Sequence, residues 1–311
     1  MRGNVASTLA LMAGVAAAAA HNSSSTCAAG LYLIVARGTS ELKGAGISGP
    51  LADRVAEHIK GSTVVPLDYP ATLTNPIYDD SVGDGVDALQ EAVHNYTQSC
   101  PDAKVALMGY SQGAQLTTDA LCGGTGAGFE SAKPLSADLI RKNIVAIVLF
   151  GDPSHVINTR YDKGTSVKNG VFERNNATVR VCETYSDRMV SYCDTGDVFC
   201  DNGQDKKVHS SYIKRYGDDA LKFIVDRYNK AAKSTGGTNL TSSSTASGGT
   251  ATAAPTASST GSTGASGGSS AATPAATGAG GGNTSAASGL VAGGSVYLAL
   301  SLVMAAALQA L

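Results

Sequence analysis

Three stretches of this 311-residue chain are apolar almost without interruption: Leu31-Tyr32-Leu33-Ile34-Val35-Ala36, Val105-Ala106-Leu107-Met108 behind Lys104, and Ile144-Val145-Ala146-Ile147-Val148-Leu149-Phe150. A strand with one wet face alternates apolar and polar residues. A strand apolar throughout must be covered on both faces, which describes a parallel sheet between layers of helices. Thr63-Val64-Val65-Pro66-Leu67 reads as a further strand that Pro66 brings to its end, and Thr178-Val179-Arg180-Val181-Cys182 as a fifth. Between them Val82, Val86, Leu89, Val93 and Tyr96 recur at helical spacing, as do Leu221, Ile224, Val225 and Tyr228. Strand and helix therefore alternate from Leu31 to Tyr228, and the expected class is α/β with a doubly wound, mainly parallel sheet.

Charge divides the chain. The 23 Lys and Arg against 25 Asp and Glu give a net charge of −2, without the excess of basic charge that nucleic-acid binding normally needs. No nucleic-acid partner is expected. Residues 234–311 carry no charged side chain at all. Residues 234–289 are nearly all Ser, Thr, Gly and Ala and cannot bury enough apolar area to offset their ordering entropy, so they read as a disordered stalk. Residues 290–311 are mostly apolar with no basic residue behind them. With the small residues Gly281, Gly282, Asn283 and Ser285 ahead of them, they match a GPI-anchor signal and imply a membrane attachment. Residues 1–20, with Arg2, a short apolar run and a string of alanines before His21, read as a secretory signal peptide. The expected folded domain is then 21–233, extracellular and held at the cell surface. Sequons at Asn22, Asn95, Asn176 and Asn239 fit that route, and another at Asn283 falls at the expected cleavage point.

Export makes disulfides the expected fate of the six cysteines. Cys27 and Cys100 each lie four residues before an apolar strand, so parallel neighbouring strands would bring them together. Cys193 and Cys200, seven apart, can staple a loop, which leaves Cys122 for Cys182.

Gly109-Tyr110-Ser111-Gln112-Gly113 matches G-x-S-x-G, and so does Gly264-Ala265-Ser266-Gly267-Gly268 in the stalk. Context separates the two. Ser111 stands between an apolar strand and a helix-compatible run, Gln112 to Leu121, where a strained strand-to-helix turn exposes a nucleophile. A serine hydroxyl needs a base at neutral pH. His58 and His94 fall within helical runs and His21 at the expected mature terminus. His209, in a polar segment before the last helix, is preferred, and His155 beyond a strand end is the other candidate. For an acid to orient the histidine, Asp152 after the strand ending at Phe150 and Asp197 inside the Cys193–Cys200 loop both keep the order Ser, Asp, His. The residue pattern leaves that choice open.

Taken in order, Ala36-Arg37-Gly38-Thr39-Ser40-Glu41, Gly109-Tyr110-Ser111-Gln112-Gly113-Ala114-Gln115, Cys193-Asp194-Thr195-Gly196-Asp197-Val198-Phe199-Cys200, and His209 ahead of Tyr216-Gly217-Asp218 resemble the cutinases and fungal acetylxylan esterases. The likeness spans about residues 27 to 230. It implies an α/β-hydrolase-like three-layer sandwich in a monomeric serine esterase that needs neither metal nor cofactor. By the same resemblance Ser111 is the nucleophile, Asp197 the acid, His209 the base, and Thr39 and Gln112 the oxyanion hole. Expected substrates are plant polymer or polysaccharide esters. Asp201-Asn202-Gly203-Gln204-Asp205-Lys206-Lys207-Val208, between acid and base, is polar, which favours short-acyl or acetylxylan-like esters over cutin and longer acyl chains. The segment Leu73 to Asp80 lacks the extra cysteines expected of the acetylxylan branch. A catalytically silent wall glycoprotein and a serine peptidase are the rival readings.

Overall fold

The computed structural model describes residues 27–236 apart from positions 127 and 130. The signal, stalk and anchor readings (1–20, 234–289, 290–311), and Asn22, Asn239 and Asn283, lie outside those residues or nearly so. The first of two compact units of the chain ends at Ala231, close to where charge runs out.

Among the described residues six strands form the sheet: β1 (Leu31–Ala36), β2 (Thr63–Pro66), β3 (Lys104–Tyr110), β4 (Ile144–Phe150), β5 (Asp162–Gly164) and β6 (Met189–Cys193). Their order is β2-β1-β3-β4-β6-β5 and every pairing is parallel. β1, β3 and β4, the three apolar runs, are inner strands, as is β6, and are buried at nearly every residue. Among the described residues seven α-helices accompany the sheet: α1 (Gly49–His58), α2 (Tyr78–Ser99), α3 (Gln112–Cys122), α4 (Ala137–Asn143), α5 (Asn176–Glu183), α6 (Lys206–His209) and α7 (Tyr212–Gly236). One core joins Leu31, Leu33 and Val35 of β1 and Met108 of β3 to Leu51 and Val55 of α1 and Leu221 and Ile224 of α7. On the opposite side of β1, Tyr32 stacks on Tyr96 of α2 at 3.5 Å.

The β1–β3 register pairs Leu31 with Lys104, so Cys27 and Cys100, four residues before each, come together in a disulfide. Cys122 joins Cys182, and Cys193 joins Cys200.

One predicted element is wrong. Thr178–Cys182 lies within α5, not in a strand. Asn175 caps that helix by accepting from the Ala177 N–H at 2.7 Å, and the cap plus docking on α3 through Cys122–Cys182 outweighs the β-branched alternation of Val179 and Val181. The strands the sequence reading missed are β5 and β6. Asn95 on α2 and Asn176 at the start of α5 are both exposed.

α3 is buried along its whole length despite carrying five polar side chains. Each is satisfied. Gln112 accepts from Ser81 Oγ (3.0 Å) and donates to the Thr72 carbonyl (3.0 Å). Gln115 accepts from the Tyr78 hydroxyl, Thr117 and Thr118 bond back to the preceding turn, and Asp119 meets Arg174 at 2.5 Å. Burial without these partners would cost about 1–3 kcal/mol per group. At its N-terminus the chain turns so tightly that a Cβ on Gly109 would lie 2.5 Å from the Gly113 carbonyl, and one on Gly113 would lie 2.1 Å from that of Ala36. Gly113→Ala should therefore lower stability by about 3 kcal/mol or more, read as a reduced urea midpoint. An unchanged midpoint would mean that β1 can move away from α3.

Candidate active site

Ser111 sits between the C-terminal end of β3 and the first turn of α3, with φ 53° and ψ −120°. A residue with a side chain in that conformation stores about 1–3 kcal/mol of strain. Main-chain bonds hold it there: the Ser111 N–H donates to the Phe150 carbonyl of β4 (2.8 Å), and the Ser111 carbonyl accepts from Ala114 (2.9 Å) and Gln115 (3.1 Å). Its hydroxyl caps nothing and instead lies 3.0 Å from Nε2 of His209.

His209 ends α6, where the sequence reading has a loop, and is 6% exposed. Its Nδ1 lies 2.9 Å and 3.1 Å from the two carboxylate oxygens of Asp197. The ring is confined by Tyr110, Phe199 and Tyr212, the last two edge-on. Tyr110 also donates its hydroxyl to the His209 carbonyl (3.2 Å). Gly151, at φ +61° just beyond β4, leaves the space: a Cβ there would lie 2.9 Å from Cε1 of the ring. Sequence reasoning missed this glycine, since its neighbour is 58 positions away.

Asp197 is fully buried in the loop closed by Cys193–Cys200. Burial alone would raise its pKa, but hydrogen bonds from His209, Tyr212 (2.6 Å) and the Phe199 N–H (2.7 Å) outweigh it and hold the carboxyl below its usual range. The Cys200 N–H adds another donor at 3.0 Å. The segment to His209 folds on itself, with Gly203 donating to the Asp197 carbonyl and Asp205 capping α6. Asn202, Gln204, Asp205 and Lys207 are exposed and polar, while Asp201 is buried and braces the loop against Ser166 and Gly196.

The structure thus brings Ser111, His209 and Asp197 together and sends the other candidates elsewhere. Asp152 is buried and accepts from Ser154 and Thr118. His155 is buried with Nε2 3.2 Å from Asp162 and Nδ1 3.5 Å from Ser191. Thr39 lies on a loop fixed from several sides. Buried Arg37 donates to the carbonyls of Glu41, Leu67, Tyr69 and Pro70, and Glu41 accepts from the N–H groups of Gly38 and Ile47. That loop rests on the turn at Ser111, since a Cβ on Gly38 would be 3.3 Å from the Ser111 Cβ. Gln112 is the first residue of α3, where helix geometry leaves the N–H without an intrahelical acceptor. Among the described residues no group of three or more His, Cys, Asp or Glu is arranged to hold a metal.

A hydroxyl, an imidazole and a buried carboxylate in line can deprotonate the hydroxyl while keeping the imidazolium paired. The cutinase family model matches residues 27–228, which contain all three. The chain belongs to the cutinase family. Among its relatives, an acetylxylan esterase of Hypocrea jecorina is 34% identical over 69% of this chain and 72% of its own length. Cutinase 11 of Verticillium dahliae is 32% identical over 64% of this chain and 69% of its own. The catalytic core domain of acetyl xylan esterase from Trichoderma reesei superposes with a TM-score of 0.57 at 32% identity, covering 63% of this chain and 98% of that one. This cutinase-family domain is an α/β-hydrolase-like three-layer sandwich.

The depressed carboxyl of Asp197 links the site to stability. An acid whose folded pKa lies below its unfolded value, about 3.9, contributes stability above that value and loses it as pH falls through the folded one. Urea midpoints of the wild type should accordingly drop on acidification below about pH 4, and Asp197→Asn should show a shallower drop. Parallel curves for the two proteins would contradict the assignment.

Proposed function

We propose that the chain hydrolyses carboxylic esters through an acyl-enzyme formed on Ser111. The reading rests on the 3.0 Å approach of the Ser111 hydroxyl to His209 Nε2 while Nδ1 faces buried Asp197. The chain is a serine carboxylic ester hydrolase. As Ser111 Oγ attacks the ester carbonyl, His209 takes the hydroxyl proton and Asp197 keeps the imidazolium oriented and paired. The N–H groups of Gln112 and Thr39 donate to the oxyanion as it forms. Collapse expels the alcohol, which leaves with the proton carried by His209. Water, deprotonated by the same imidazole, then releases the acid and restores Ser111.

Short acyl groups on a polysaccharide are the favoured substrate. The exposed side chains at 202, 204, 205 and 207 are polar, and covering them with a long alkyl chain would leave their hydrogen-bonding groups unpaired. Relatives named acetylxylan esterase support the same choice.

Export and surface attachment belong to this reading as well. Three disulfides fit an oxidising compartment. Among the described residues no helix is long and apolar enough to cross a membrane. The GPI signal would supply the tether, and phosphatidylinositol-specific phospholipase C should then release the protein from cells. Retention on treated cells would count against the anchor.

Kinetics on p-nitrophenyl esters test the chemistry. Ser111→Ala should lower turnover on the order of a million-fold and Asp197→Asn about ten-thousand-fold, with Asp152→Asn near wild type. Acetyl esters should be turned over faster than long-chain ones. Near-normal hydrolysis by Ser111→Ala would end the esterase reading, and a preference for long chains would favour cutin-like substrates.

A further inference from the structure

Asp197 is surrounded by donors, and one of them comes from a residue with no place in the reaction as described. Tyr212, at the start of α7, is fully buried and its hydroxyl lies 2.6 Å from Oδ2 of Asp197. The direction of that bond is fixed. The Asp194 N–H donates to the same hydroxyl oxygen at 3.0 Å, so the phenol must give its proton elsewhere. Its other close neighbour is Cys200 Sγ at 3.2 Å, a disulfide sulfur with no proton and only weak acceptor power. The proton goes to Asp197.

We infer that Tyr212 is a positioning residue that fixes the carboxylate plane of Asp197 and tempers its basicity, so that the pull of the acid on the His209 imidazolium is set by a phenol outside the triad. Oδ1 is held by the N–H groups of Phe199 and Cys200, whereas Oδ2 has Tyr212 as its partner besides His209. Without the phenol the carboxylate could pivot about its Oδ1 bonds, and its charge would be less dispersed. A less solvated carboxylate stabilises a neighbouring imidazolium more strongly, which raises the pH at which the base becomes available.

Tyr110 of β3 faces His209 through its ring and its hydroxyl. Asp194, behind Tyr212, is paired with Arg215 (2.7 Å) and accepts from the Tyr216 hydroxyl (2.6 Å), both of α7. Burial and the adjacent Asp197 push the Tyr212 phenol far above its usual pKa, so it remains a donor throughout the working range.

This inference rests on the proposed triad and is tested separately from it, by kcat and KM across pH on p-nitrophenyl acetate. Tyr212→Phe should lower kcat on the order of tenfold with KM little changed, because the lost bond does not touch the ester. It should also move the acid limb of kcat/KM to higher pH. Replacement of Tyr212 by 3-fluorotyrosine keeps the ring and strengthens the donor, and should move the limb to lower pH. Tyr216→Phe, which removes a hydroxyl from Asp194 instead, should leave the limb where it is. A folded Tyr212→Phe enzyme with the wild-type limb and kcat would overturn the inference while leaving the triad intact. Should Tyr212→Phe fail to fold, the fluorinated enzyme decides alone: an unmoved limb overturns the inference, a lowered one supports it. Failure of the triad would show itself differently, as activity surviving in Ser111→Ala.

Discussion

Everything in this domain is arranged around a backbone that cannot relax at Ser111. A non-glycine residue at φ 53° and ψ −120° is held there only by its surroundings, and here those are the central strands themselves. β4 takes its N–H, the first turn of α3 takes its carbonyl, and β1 passes so close that only glycine fits at 113. The strain lifts the hydroxyl off the end of the sheet. With the side chain used for neither capping nor packing, it is free to face an imidazole.

The second half of the site is built by different means. Asp197 and His209 are twelve positions apart in a segment with little regular structure, and a disulfide, a self-bonded turn and buried Asp201 give it rigidity. The carboxylate is ionised because protein donors replace the water it has lost. Arg37 does the same for the loop carrying Thr39, spending one buried guanidinium on four carbonyls. Rigid elements thus meet at one sheet edge from three sides, and preorganisation of this kind is what a hydrolytic site requires.

Much of this was legible in the sequence because it is written locally. β1, β3 and β4 are apolar throughout since both faces are covered, and the spacing of Cys27 and Cys100 from their strands encodes a register. The turn around Ser111 shows in two glycines four apart. Other features depend on tertiary neighbours. β6 carries Ser191 in its centre and β5 is three residues at an edge, so neither shows a hydrophobic run. Thr178–Cys182 looks like a strand until the Asn175 cap and the partner of Cys182 are known. Asp152 and Asp197 are equivalent as text; what separates them is that Ser154 and Thr118 occupy one while His209 faces the other. Gly151 and Tyr212 carry no motif, and their roles exist only where distant segments touch.

The central claim is that Ser111 is the nucleophile, activated by its place in the fold. A fluorophosphonate reacts covalently with an activated serine and leaves ordinary hydroxyls alone. Peptide mass spectrometry after labelling of the folded protein should find the phosphonyl adduct on Ser111, with no adduct after denaturation beforehand. A stable adduct on another serine, or an unlabelled protein that still cleaves esters, would contradict the account.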